Sequence, residues 1–320
     1  MPPKEPKPGQ MFTVPRAEFL RNYRALTPEE QAALEKEKAK DKNKEKKEKG
    51  VRLDEAREIF GDKDFLGPEA VESAWGVKLN VKEIPSIPFS RKELERAKEL
   101  GQFLVLRVDR APDGEPLTMQ KMNEMVQPDF ARKGKGKVLY NVVWYQSEEF
   151  YTTDIPELKW ALTGKALVPD STSKNYFEQT KTIIKYLDEL FRNQPMPDAY
   201  AEAVQEFKEY VGRSFKGKKK EEIQALLSGV DQVRYVQELG DLKINQLTRQ
   251  TPAEALYDLI TYFEHTGERL LEGVDAWTNR RSSAGLLVLV GSFDAGGAGV
   301  LGWGPGYAGG RLGVSFSRSL

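Results

Sequence analysis

The residue types that carry most covalent and metal chemistry are nearly missing from this chain. Cysteine does not occur, which removes disulfides, thiolate zinc sites, iron–sulfur clusters and cysteine nucleophiles together. The single histidine, His265, sits inside an amphipathic pattern. One histidine builds neither a facial triad nor a His-x-x-x-His metal pair, so it reads as an ordinary helix residue. Gly297-Ala-Gly299-Val-Leu-Gly302 has the spacing of a dinucleotide fingerprint. That chemistry needs a helix N-terminus behind the glycines and an acidic residue about 20 positions on, whereas Pro305 and more glycines follow here. No Gly-x-Ser-x-Gly elbow and no Walker loop are present. The lysines of Lys216–Lys220 could grip a phosphate, but Glu221 and Glu222 adjoin them, and the cluster reads as a solvated helix junction. Carboxylates are spread over the helical stretches and single out no acid–base couple. The expectation is therefore no catalytic residue, no cofactor and no bound metal.

Length and composition bound the rest. The 320 residues suffice for two domains, or one large domain with a tail. At 39% hydrophobic and 31% charged, the chain is leaner than an average globular protein, so part of it is expected to be disordered or solvated. Lys plus Arg and Asp plus Glu each total 49. Zero formal net charge argues against a dedicated nucleic-acid binder. The longest apolar run, Leu286 to Val290, falls far short of the roughly 20 residues of a membrane span, and the N-terminus has no apolar signal region. The expectation is a cytoplasmic protein without membrane insertion, with surface display left open.

These residues need elements to position them. A proline-rich leader opens the chain, and residues 28–49 run into Lys and Glu. Between 35 and 49 there are eight Lys against five acidic residues; interleaved charge of this kind reads as a solvated helix or tether. We take 1–50 as a disordered, charged leader and 51–85 as a small helical segment with a linker. Ser90 with Glu93 is a capping box for a helix over 91–101. Phe103–Asp109 reads as a strand, Leu117 opens a helix to about Met125, and 137–146 and 159–167 read as strands. Helices are expected at 174–193, 198–212, 219–227 and 230–240. Thr251 and Glu254 cap another, to about Thr266, with Ala255, Leu256, Leu259, Ile260 and Phe263 at helical spacing. Then come β-type runs at Leu286–Phe293, Ala298–Trp303 and Leu312–Ser317.

The C-terminal segment changes composition. Residues 279–320 hold 11 of the 27 glycines and no Lys, Glu, Gln or Met, yet keep four Arg. A β-rich core depletes Lys and Glu, but does not account for missing Gln and Met. Elsewhere, Gln127-Pro128-Asp129 has the form of the sugar-selecting tripeptide of calcium-dependent lectins. Its further oxygen ligands on a neighbouring loop and strand are not found, so we read it as coincidence.

Two stretches carry a resemblance. One runs from Leu247-Thr-Arg-Gln-Thr-Pro-Ala-Glu through Tyr257 and Phe263 to Gly267-Glu-Arg-Leu-Leu. The other comprises Trp277-Thr, Arg281-Ser-Ser, Val288-x-Val-Gly-x-Phe-Asp, Gly296-Gly, Trp303-x-Pro and Leu312-Gly-Val-Ser-Phe-Ser-Arg-Ser. Together with Ile87-Pro-Phe-Ser, Leu106-Arg-Val-Asp and Ser173-Lys-Asn-Tyr-Phe-Glu-Gln-Thr, they resemble the variable proteins of diversity-generating retroelements of candidate-phylum bacteria. The resemblance covers about 50–320 and is strongest over 243–320. It implies an α+β, C-type lectin-like domain over 86–320, with a helical insertion at about 174–240 and a variable region at about 277–320. In that family a reverse transcriptase mutates template adenines, and Asn codons then yield a residue set that omits Lys, Glu, Gln, Met and Trp. The empty columns of 279–320 fit that bias, with Trp303 as a fixed position. The calcium and formylglycine-generating activities of related folds are not carried over.

A display scaffold tolerates variation only if its core does not use the varied side chains, and strand alternation supplies that separation. The resemblance thus implies one exposed binding surface of Asn279, Arg280, Ala284, Leu286, Leu289, Ser292, Leu301, Gly302, Trp303, Gly304, Tyr307 and Ala308. Val288, Val290, Phe293, Val300, Val314 and Phe316 are expected inside. The strand at 103–109 is expected to pair with 312–317. The function implied is binding of an unknown protein or cell-surface ligand, without catalysis and with the oligomeric state open. The alternatives are an enzyme using scattered carboxylates and Tyr, or a nucleic-acid-associated protein using the Lys-rich arm.

Overall fold

The computed structural model describes residues 50–319. The charged leader and its Lys-rich arm lie outside the described residues. Residues from Val51 onward form one compact α+β unit with eleven helices and two small mixed sheets. Helices α1 (Leu53–Phe60) and α2 (Pro68–Trp75) flank the short strand β1 (Phe65–Leu66). Then follow α3 (Arg91–Glu99), β2 (Gln102–Arg107), α4 (Met119–Arg132), α5 (Glu149–Thr152) and β3 (Lys159–Gly164). The helical block comprises α6 (Tyr176–Leu190), α7 (Asp198–Ser214), α8 (Lys220–Ser228), α9 (Gln232–Gly240) and α10 (Lys243–Thr248). Helix α11 (Pro252–Thr266) leads into β4 (Asp275–Arg281), β5 (Leu287–Asp294), β6 (Gly297–Trp303), β7 (Leu312–Gly313) and β8 (Ser317–Arg318).

Helix α11 organises the centre because its sequence fixes both ends and hides nearly all of its length. The hydroxyl of Thr251 accepts from the Glu254 amide, the Glu254 carboxylate accepts from the Thr251 amide, and Pro252 occupies the first turn. Gly267, at φ 77°, stops the helix in the left-handed region. Every residue from Pro252 to Tyr262 is buried. The segment from 51 to 75 packs on this helix: Trp75 stacks on Tyr257 with ring centroids 4.9 Å apart, and its indole donates to the Thr261 hydroxyl at 2.9 Å. His265 lies in the last turn, with Nε2 2.7 Å from the Asp62 carbonyl oxygen.

The first sheet has the order β1–β2–β3–β8, with β1 parallel to β2 and the other pairs antiparallel. The second has the order β6–β5–β4–β7; β4, β5 and β6 form an antiparallel meander and β7 runs parallel to β4. The expected pairing of 103–109 with 312–317 is not made. The C-terminal run divides: Leu312–Gly313 joins the second sheet, and Ser317–Arg318 enters the first with β3 between it and β2. Expected strand 137–146 is also corrected. Its alternating Val138, Tyr140, Val142 and Trp144 form no ladder, but a loop bridged at one point, Leu139 to Ala298. The loop meets the edge of β6 instead. The Ala298 amide donates to Val138, the Tyr140 amide donates to Ala298, and the Trp144 indole donates to the Val300 carbonyl at 2.9 Å.

Glycine permits that close approach. Gly297 has φ 101°, and a Cβ there would lie 2.5 Å from the Leu139 carbonyl carbon. Gly297→Ala is expected to cost about 1–3 kcal/mol, since the strained backbone and the clash both fall on main-chain atoms. Urea denaturation checks this; a cost below about 0.5 kcal/mol, the level of a neutral surface change, would refute the close contact.

Two apolar clusters fill the unit. The first joins α11, β2 and β3 to Val288, Val290, Phe293 and Val300. The second joins the helical block to Trp277, Leu287, Leu289, Val314 and Phe316. The six residues expected inside are therefore all buried.

Candidate functional site

Strand register builds the most distinctive surface feature. On one face of the second sheet, Asp275 of β4 pairs with Gly291 of β5, which pairs with Gly299 of β6. Two side chains are missing from that row, and a hollow results. Toward the other end of the same face, Trp277, Leu287 and Leu289 lie under the helical block. The block stops short of the Asp275 row, so two adjoining clefts open there. The larger, about 630 Å³, is lined by Tyr140, Trp144, Glu272, Asp275, Asp294 and Leu301, among others. The smaller, about 380 Å³, includes Asp275, Ser292, Leu301, Trp303, Tyr307 and Arg311.

Asp275 lies at the junction of the two. Its Oδ1 accepts from the Ser292 hydroxyl at 2.8 Å. Burial pushes its carboxyl above the ordinary range, against the opposing pull of Ser292 and Arg311. Ser292 itself has φ 45°, at the register shift between Gly291 and Asp294 where β5 departs from regular pairing. On the outer wall Trp303 and Tyr307 stack with centroids 4.7 Å apart and planes 13° from parallel. Leu301, Trp303 and Tyr307 are each more than two-fifths exposed, and Tyr140 two-thirds. Large apolar groups held open beside a cleft are the usual mark of a binding surface.

The structure divides the residues expected to form one exposed surface. Ser292, Leu301, Trp303 and Tyr307 line the clefts. Ala308 is exposed beside Tyr307, and Gly302 is half-buried against Leu286. Gly304 is hemmed in by Gln232 of α9, whose Oε1 would lie 2.1 Å from an added Cβ. Ala284 is exposed in the β4–β5 turn. Arg280 belongs to a separate polar cleft, with Glu148, Asp241, Gln246 and Ser283, and its Nε donates to Asp154 at 2.6 Å. Two exposures are corrected. Asn279 is buried, its side-chain amide donating to the Arg249 carbonyl at 3.1 Å. Leu289 is only 2% exposed, because the helical block covers the face that alternation assigned to solvent.

Sequence reasoning missed Tyr140, Trp144, Glu272, Asp275, Asp294 and Arg311. Tyr140 and Trp144 were hidden in the stretch with strand alternation. Asp275 lies in a stretch to which sequence reasoning assigned no strand, only the motif Trp277-Thr. Gln127, Pro128 and Asp129 lie within α4, where Asp129 pairs with Arg132 and with Lys133 at 2.6 Å. Among the described residues no group of three or more His, Asp and Glu is placed to hold a metal ion, and no helix is long and apolar enough to cross a membrane. No family model, curated protein or solved structure matches this chain.

Proposed function

We propose that this chain is a ligand-binding display protein of the retroelement-diversified kind, with a C-type lectin-like domain and a variable region at about 277–320. One observation carries the reading. Leu301, Trp303 and Tyr307 stand exposed around clefts, in the segment that lacks Lys, Glu, Gln and Met, while Val288, Val290, Phe293 and Val300 beside them are buried. Side chains available to a ligand and side chains holding the sheet are thus different residues of the same strands. The target is a protein or cell-surface ligand, bound without chemical conversion.

The decisive experiment is to sequence the DNA around the gene in many cells of one population. A near-copy of the segment encoding 279–320, differing at adenines and lying beside a reverse transcriptase gene, is the expected result. Codons for Leu301 and Tyr307 should vary, and those for Val288 and Phe293 should not. Uniform codons with no template copy would overturn the reading.

A further inference from the structure

We propose that the larger cleft receives a cationic side chain of a protein partner, the ammonium of Lys or the guanidinium of Arg, with Asp275 as its counter-ion and Tyr140 and Trp144 as its aromatic walls. This deepens the display reading and rests on it, because it assigns a chemical class to what the surface binds.

The geometry carries the assignment. Gly291 and Gly299 leave the face beside Asp275 without side chains, so an incoming group reaches the carboxylate between strands. Glu272 and Asp294 line the same cleft. Among the described residues, none of these three carboxylates has a Lys or Arg nitrogen within ion-pair distance. Among the described residues Arg311 is the one cation lining either cleft, and its Nε is turned to the Gly273 carbonyl. Arg269, stacked on Phe263 and Phe293 at 4.1 and 4.5 Å, offsets part of the charge of Asp294 and Glu272. The balance in the clefts remains three carboxylates against one lining cation.

An apolar ligand would leave that charge in place and remove its water, which is costly. A cation on an aliphatic stem satisfies both features. Its head meets the carboxylate and the ring faces, which attract a cation through their quadrupole, and its stem lies along Leu301 and Trp144. The smaller cleft, with Trp303 and Tyr307, then holds the flanking part of the partner, the aromatic anchors of a protein interface.

The test titrates the protein with acetylated, amidated tri-lysine and follows the Trp144 indole N–H resonance. Saturable binding that weakens with added salt is expected. Replacing the lysines by norleucine should weaken binding about tenfold or more, and so should Asp275→Asn, equivalent to about 1.4 kcal/mol. Tyr140→Ala, at an exposed position, should weaken it severalfold and guards against an Asp275 variant that misfolds. Affinity should also fall on acidification, because Asp275, facing Ser292, Arg311, Glu272 and Asp294, attracts the cation only when ionised. Equal binding of the norleucine peptide, preferential binding of the neutral disaccharide cellobiose, or variants without effect would each overturn the cation site. Failure here with variable codons present refutes the cation site alone. Tri-lysine binding with uniform codons refutes diversification alone.

Discussion

Arg107→Met is expected to lower the unfolding free energy by about 3–5 kcal/mol at neutral pH, because it strands two buried carboxylates. Arg107 on β2 donates to both oxygens of Asp258, at 3.0 and 2.7 Å, and pairs with Glu254 at 2.8 Å. It also reaches Ser317 of β8 at 3.0 Å, so the cluster ties β2 and β8 of the first sheet to α11. Asp258 accepts in addition from Thr163 and Gln250. Burial opposes every charge here. Asp258 and Glu254 nevertheless hold Arg107 protonated, and burial lifts the Asp258 carboxyl against the pull of Arg107. Glu254 is held below the ordinary range, since Arg107 and Lys159 outweigh its burial.

The sign of the pH effect follows. Glu254 contributes stability above its unfolded pKa and loses it as the pH falls through the lowered folded value. Without Arg107 the Asp258 carboxyl, already raised by burial, loses its opposing pull and Glu254 loses its main one, so the variant recovers stability as acid neutralises Asp258. The gap between the two proteins should therefore narrow toward acid pH. Urea midpoints at unchanged slope, measured at several pH values, check this. A loss under about 1 kcal/mol, the level of an exposed ion pair, would show that the cluster is solvated.

Leu289→Ala should cost about 2–5 kcal/mol while Leu301→Ala costs less than about 1 kcal/mol. The two residues are paired across β5 and β6. Leu289 packs in the cluster with Trp277, Leu312, Val314 and Phe316, whereas Leu301 is 46% exposed. Unfolding of both variants under one set of conditions decides the matter. Equally small costs would mean that the helical block does not cover this sheet in solution.

That pair also marks where sequence reasoning stopped. Alternation along β5 separated Leu289 from Val288 and Val290, since successive side chains on a strand face opposite sides. It could not say that both sides would be covered. Val288 and Val290 join one apolar cluster, and Leu287 and Leu289 join the other. Burial on the second face depends on where the helical block docks, which is a long-range packing outcome. The alternating run around Tyr140 and Trp144 failed for a related reason. A strand needs a partner for its ladder, and β6 offers this stretch only Ala298 and the Val300 carbonyl.

The sequence by itself determined the local terms. Capping boxes at Ser90–Glu93 and Thr251–Glu254, the helical spacing within α11 and the alternation that sets Val288 and Val290 on the face opposite Leu289 all follow from neighbours within one or two turns of chain. Only the tertiary structure decided what those elements enclose. It divided the C-terminal run between two sheets, buried Asn279 and Leu289, and set Asp275 beside two glycines from neighbouring strands. The physical reason is range: capping and periodicity are fixed by bonds a few residues apart, whereas a cleft exists only where strands and helices distant in the chain meet and leave a space between them.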